Sequence, residues 1–163
     1  MTPANGIEGR LRPVNWRNFH IAARLARESG ISTAMITSKG EATLFPQQVT
    51  EYLDALQREG FPLIELQTNG IPLAEQPAKY DTHLRDWYQR NLSMIAISVV
   101  HHDPVRNRDI YLPHKQSYID LPALLDTLHD VGGPAAIAPP VTSRAAAIAI
   151  AIRDRNAENT PCP

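Results

Sequence analysis

Three short apolar runs, centred on Met35, Ile64 and Ile97, recur 29 and 33 residues apart, and an amphipathic stretch follows each. Strand and helix alternating at that period signal successive βαβ units, because parallel strands need a crossover long enough to hold a helix. The right-handed crossover rule then puts the helices on one side of the sheet, as in a barrel, or on both sides of an open sheet. The expected class is α/β, built from parallel-sheet βα repeats. Three strands cannot close a barrel, and a three-stranded parallel sheet leaves two apolar edges uncovered. The pattern therefore predicts a piece of a larger layout, or a chain that needs a partner.

Local signals set the expected elements. Asn15 is suited to cap a helix that presents Trp16, Phe19, Ala22, Ala23 and Ala26, with Gly30 as its stop. Residues 31–37 read as a strand. Pro46 then opens a helix with Val49, Tyr52, Leu53 and Leu56 on one face, closed by Gly60. Residues 63–67 form the second strand, ended by Thr68-Asn69-Gly70. After a proline-containing loop, Asp81 is the expected cap of a helix carrying Leu84, Trp87, Tyr88 and Asn91. Trp87 and Tyr88 read as helix packing. Residues 94–100 are the third strand, and residues 101–118 read as a polar loop with turns at Asp103-Pro104 and Asn107-Arg108-Asp109. A helix from about Asp120 presents Leu121, Leu124, Leu125 and Leu128, and Gly132-Gly133 ends it.

Composition narrows the function classes. A formal net charge of −1 over 163 residues argues against electrostatically driven binding to nucleic acid or to a membrane surface. No apolar run is long enough to span a bilayer, and the first ten residues carry no signal-peptide core. One cysteine, Cys162, forms no internal disulfide and no multi-cysteine metal site. The expectation is a soluble, cytoplasmic protein.

Three regions are expected: a loose lead-in over residues 1–14, a βα domain over 15–133, and an atypical tail over 134–163. Those last 30 residues hold nine Ala and five Pro, and no Leu, Met, Phe, Tyr or Trp. Residues 145–152 suit either an alanine-rich helix or, by the alternation of their isoleucines, a strand. So abrupt a shift predicts that the tail is not the native continuation of the fold, as a change of reading frame would produce.

In parallel α/β architectures ligands collect at the carboxyl ends of the strands. Three such ends are distinctive here: residues 37–46 (Thr-Ser-Lys-Gly-Glu-Ala-Thr-Leu-Phe-Pro), residues 67–70 (Gln-Thr-Asn-Gly) and residues 98–103 (Ser-Val-Val-His-His-Asp). Gly40 permits close approach of backbone to a ligand. Glu41 is able to pair with an ammonium group, and Lys39 with a carboxylate or phosphate. His101, His102 and Asp103, with His114 in reach, are metal-ligating types, but neighbours on a strand point to opposite faces, so no metal site is assigned. The Ser, His and Asp residues show no nucleophile-elbow spacing.

The order strand, Lys39-Gly40-Glu41-Ala42 with Leu44-Phe45-Pro46, helix, strand, Thr68-Asn69-Gly70, helix, strand resembles the radical S-adenosylmethionine (radical SAM) superfamily over roughly residues 16–131. The resemblance implies a fragment of a (βα)6 partial TIM-like barrel, with S-adenosylmethionine and a 4Fe–4S cluster at its carboxyl-end mouth. It implies cofactor-binding roles for Lys39, Gly40 and Glu41 toward the methionine amino group, for Ser98 toward the ribose, and for Thr68 and Asn69 at the same mouth. Ala42 replaces the proline of the family motif. The family holds its cluster with three cysteines in a loop after the first barrel strand, and this chain has no such loop. The expectation is a truncated, catalytically incompetent domain with no catalytic residue assigned. The alternatives are a non-catalytic interaction module that pairs a sheet edge with another chain, self-association through exposed edges included, and an ordinary βα enzyme that binds a phosphate or carboxylate.

Overall fold

The computed structural model describes residues 14–132 except Lys39, together with the backbone of two strands at 135–137 and 148–152. The elements run α1 (Trp16–Glu28), β1 (Thr33–Ile36), a 3-10 turn (Ala42–Leu44), α2 (Pro46–Arg58), β2 (Leu63–Thr68), α3 (Ile71–Glu75), α4 (Pro77–Gln89), β3 (Met94–Val99), α5 (Pro104–Tyr111), α6 (Leu121–Gly132), β4 (Ala135–Ile137) and β5 (Ile148–Ile152). The sheet order is β1-β2-β3-β5-β4. The first three strands are parallel, with Ile36 opposite Leu66 and Thr68 opposite Ile97. The repeats expected from the 29- and 33-residue spacing are present.

Strand parity puts the core on one face. Ile36, Ile64, Leu66, Ile95, Ile97 and Val99 are buried on the same side of the sheet and form one cluster with α1, α2, α3, α4 and α6. On the other side Met35 and Leu63 are about half exposed and Gln67 and Ser98 are partly open, while Glu65 and Ala96 are buried there outside the cluster. Stepping in one direction from β1 to β3 with right-handed crossovers has this result, because each helix returns over the same face. Of the two arrangements the sequence left open, the single-sided one is found. Trp87 and Leu53 are wholly buried, each such side chain contributing roughly 1.5–3 kcal/mol of transfer free energy. Trp87 also donates its indole N–H to the Thr50 hydroxyl at 2.9 Å, so burying this donor leaves it satisfied. A trio of rings, Trp16, Phe19 and Tyr52, with centroids 5.2–5.6 Å apart, fastens α1 to α2.

Several boundaries differ from expectation. The first strand is shorter, Thr33–Ile36. The proline-containing loop is largely helical: Pro72 and Pro77 lie in the first turns of α3 and α4, where a missing N–H costs nothing. Asp81 is therefore not a cap. It lies one turn inside α4 and holds Arg85 through two hydrogen bonds of 2.9 and 3.0 Å. The 101–118 loop contains α5, so Asp103-Pro104 and residues 107–109 are not turns; the Asp103 carboxylate caps the helix by accepting from the Val105 N–H at 2.9 Å. α6 does end at Gly132, as expected, and the hydrogen side chain of that glycine has a packing cause: a Cβ there would stand 2.3 Å from the Tyr88 ring.

The tail also corrects the expected pair of open edges. β5 pairs antiparallel with β3, matching Ile97 to Ile150 and Val99 to Ile148, and β4 pairs antiparallel with β5. The alternating isoleucines of 148–152 are a strand. The place beside β3 that a fourth parallel strand would take is filled by an antiparallel one. Cys162 and the rest of residues 153–163 lie outside the described residues, as does the lead-in up to residue 13.

Candidate functional site

Parallel pairing brings the carboxyl ends of β1, β2 and β3 to one rim, and the side chain of Glu41 ties two of them together. Its Oε1 accepts from the Thr43 N–H at 2.9 Å, the Thr43 hydroxyl at 2.7 Å and the Thr68 hydroxyl at 2.7 Å. Its Oε2 accepts from the Asn69 N–H at 2.8 Å. Four donors converge on one half-buried carboxylate, a charge-assisted arrangement that locks the segment after β1 onto the segment after β2. Thr43 is wholly buried, and its carbonyl accepts from the Tyr80 hydroxyl at 2.7 Å. Burial, and secondarily the negative charge of Glu41, raise the pKa of both Tyr80 and Tyr111 above the ordinary phenol value.

The other expected site residues divide into spent and open groups. Thr68 is spent: its hydroxyl donates to Glu41 and accepts from the Gly70 N–H at 3.0 Å. Asn69 uses its side-chain carbonyl to accept from the Ile71 N–H at 2.9 Å, which starts α3, and its amide NH2 has no partner among the described residues. Ser98 is half-buried on the face opposite the core cluster, one step beyond the Thr68–Ile97 pair, with no partner for its hydroxyl among the described residues. Gly40 is exposed and a Cβ there would meet nothing within 4 Å. Packing does not require a glycine at that position. Gly70 is the opposite case, with φ +76° and Leu124 Cδ2 2.8 Å from where a Cβ would sit. Lys39 lies outside the described residues.

Sequence reasoning missed Asn107. It is buried to 1% exposure and holds the strand end after β3 from inside α5. Its side-chain oxygen accepts from the Val100 and His101 N–H groups, each at 2.9 Å, and its amide donates to the His101 carbonyl. The Asp103-Pro104 pair, a cap followed by a first-turn proline, was the signal that would have placed this helix. His101 Nδ1 accepts from the Asp103 N–H at 2.9 Å, which fixes that nitrogen as the unprotonated one. Desolvation, then the neighbouring His102 and Arg106, lowers the His101 pKa. Among the described residues no group of three His, Cys, Asp or Glu is arranged to hold a metal ion.

A separate concavity of about 410 Å³ lies between α3, α6 and residues 112–120, with the Lys115–Glu75 ion pair (3.3 Å) at its wall. Its lining includes none of the cofactor-binding residues expected from sequence. No helix among the described residues is long and apolar enough to cross a membrane. Comparison of the chain with protein-family models, with curated proteins and with solved structures returned no match.

Proposed function

We propose that this chain is a partial radical SAM-type βα domain, a fragment of a (βα)6 barrel whose rim retains the part of a pocket that meets the amino-acid end of S-adenosylmethionine. The observation that carries the reading is the Glu41 bridge, which joins the 40–46 and 68–70 segments side by side at the carboxyl ends of parallel strands. The single-sided core supports a barrel segment over a doubly wound sheet. Gly40, with open space around it and no packing reason to be glycine, supports close approach of a ligand. Groups left for that ligand are the second lone pair of Glu41 Oε2, the Asn69 amide and the Ser98 hydroxyl. The first suits an ammonium, the other two a carboxylate or a ribose hydroxyl.

The 4Fe–4S cluster does not fit. A tri-cysteine loop needs three thiolates and this chain has one cysteine. The domain is accordingly proposed to be catalytically incompetent, with at most weak cofactor binding. Titrating 15N-labelled chain with millimolar S-adenosylmethionine tests both parts. Amide shifts at Gly40, Asn69 and Ser98, reproduced by S-adenosylhomocysteine and reduced by Ser98→Ala, are expected. Their absence removes the reading, and micromolar affinity by calorimetry removes the claim of a crippled pocket.

A second reading is favoured by the outer edge of β1, which no described strand covers and which carries no charge or proline across 31–38. Such an edge templates strand addition, so the chain would be a binding module for a strand of another chain. Met35→Lys, which brings a charge onto the edge strand, is then expected to abolish that association and leave the S-adenosylmethionine response intact.

A further inference from the structure

α1 has two apolar faces, and the fold uses one. Phe19, Ala23 and Ala26 point to the core, while Ile21 and Leu25, on the opposite side of the helix, are 51% and 57% exposed. These two line a shallow groove of about 380 Å³ together with Arg17, His20, Arg24 and Glu28. The charges along that stripe are not equivalent. His20 and Arg24 are both committed to Glu59, at 2.9 and 3.3 Å. Arg17 and Glu28 have no partner among the described residues, and they stand at opposite ends of the stripe, roughly 16 Å apart at 1.5 Å per residue.

We propose that this face of α1 is an isologous dimer interface, occupied by the same helix of a second copy running antiparallel. A two-fold axis passing near residue 23 sets Ile21 against Leu25 of the second copy, twice. The same axis brings Arg17 to Glu28 of the second copy at each end, so the unpartnered charges pair and the half-exposed side chains cover one another. A parallel pairing instead stacks Arg17 on Arg17 and Glu28 on Glu28, which like-charge repulsion disfavours. The self-complementarity belongs to the antiparallel register. It requires no cofactor and is independent of the proposed rim site.

The test is sedimentation and light scattering of the full chain over a range of concentrations. The mass is expected to rise toward that of a dimer, and Ile21→Asp to hold it at the monomer. Arg17→Glu and Glu28→Arg singly are expected to weaken association by about tenfold, since each reverses two symmetry-related pairs at once, and the double variant to restore it. Both single changes favour the helix itself, by placing acid at its start and base at its end, so weakening cannot come from a frayed α1. Circular dichroism checks the fold of Ile21→Asp. A wild-type chain that stays monomeric, a dimer that survives Ile21→Asp, or an association lost on Met35→Lys instead would each overturn the proposal.

Discussion

Glu41 and Thr68, 27 residues apart in the chain, share a 2.7 Å hydrogen bond across the ends of two neighbouring parallel strands. The carboxylate that sequence reasoning offers to a ligand is thus also the clasp that assembles the rim. The clasp serves a ligand indirectly, because fixing both segments preorganises any group that binds between them. Glu41→Gln replaces one acceptor oxygen by an NH2 facing donors and removes the charge from all four bonds. A loss of about 2–3 kcal/mol in unfolding free energy is expected, read from urea midpoints. A change within about 0.5 kcal/mol, the range of ordinary surface substitutions, would show the clasp to be dispensable.

Gly40 and Gly70 make a matched pair of glycines with opposite reasons to exist. Gly70→Ala meets both a left-handed backbone, at φ +76°, and a contact of 2.8 Å with Leu124. It is expected to cost about 2 kcal/mol or more. Gly40→Ala meets open space and is expected to stay within about 0.5 kcal/mol of the parent. Thermal or urea unfolding of the two variants in parallel decides it. Equal costs would mean that the Thr68-Asn69-Gly70 turn is not held by packing against α6.

The βα repeat was readable because its determinants are local: isoleucine-rich strands, helical stripes such as Val49-Leu53-Leu56, and glycine stops such as Gly30. Which face the helices cover was not readable, because both answers obey the same crossover rule and only strand order decides between them. Residues 148–152 were ambiguous for a related reason. Alanine favours helix and alternating isoleucine favours strand, and the partner β3 settles the contest from outside the segment. At the rim, Thr68, Asn69 and Glu41 were visible as polar residues at strand ends, yet their bonds to one another join positions that sequence spacing does not connect. Asn107 was hidden by its own chemistry, since a buried asparagine inside a short helix looks the same in sequence as a turn residue.

Asn107 predicts a local rather than a global phenotype. Its side chain satisfies three backbone groups of the segment after β3, and an alanine would leave them to compete for water. Asn107→Ala is expected to destabilise by about 1–3 kcal/mol and, more specifically, to speed hydrogen exchange at the Val100 and His101 amides. Exchange that accelerates uniformly over the chain, with no excess at those two positions, would deny Asn107 its role as the pin of this loop.

Tyr118 gives the chain a defined alkaline response. Its hydroxyl is buried without a hydrogen-bond partner among the described residues, and burial first, then the neighbouring Tyr111, pushes its pKa up to about 12. The folded state therefore keeps a neutral phenol while the unfolded chain ionises at the ordinary value of 10.0. Below that value both states hold the proton and Tyr118 has no influence on the pH dependence. Between pH 10.0 and about 12 the unfolded state alone releases it, so stability falls as pH rises through that window. Tyr118→Phe removes the effect and also removes an orphaned buried hydroxyl. Its urea midpoint is expected to be equal to or above the parent's at neutral pH, and its decline in alkali shallower. Phenolate absorbance during an alkaline titration should lose its latest step in the same variant. A Phe variant that declines as steeply as the parent would place the alkaline sensitivity on Tyr80 or Tyr111, whose pKa values burial and Glu41 raise in the same direction.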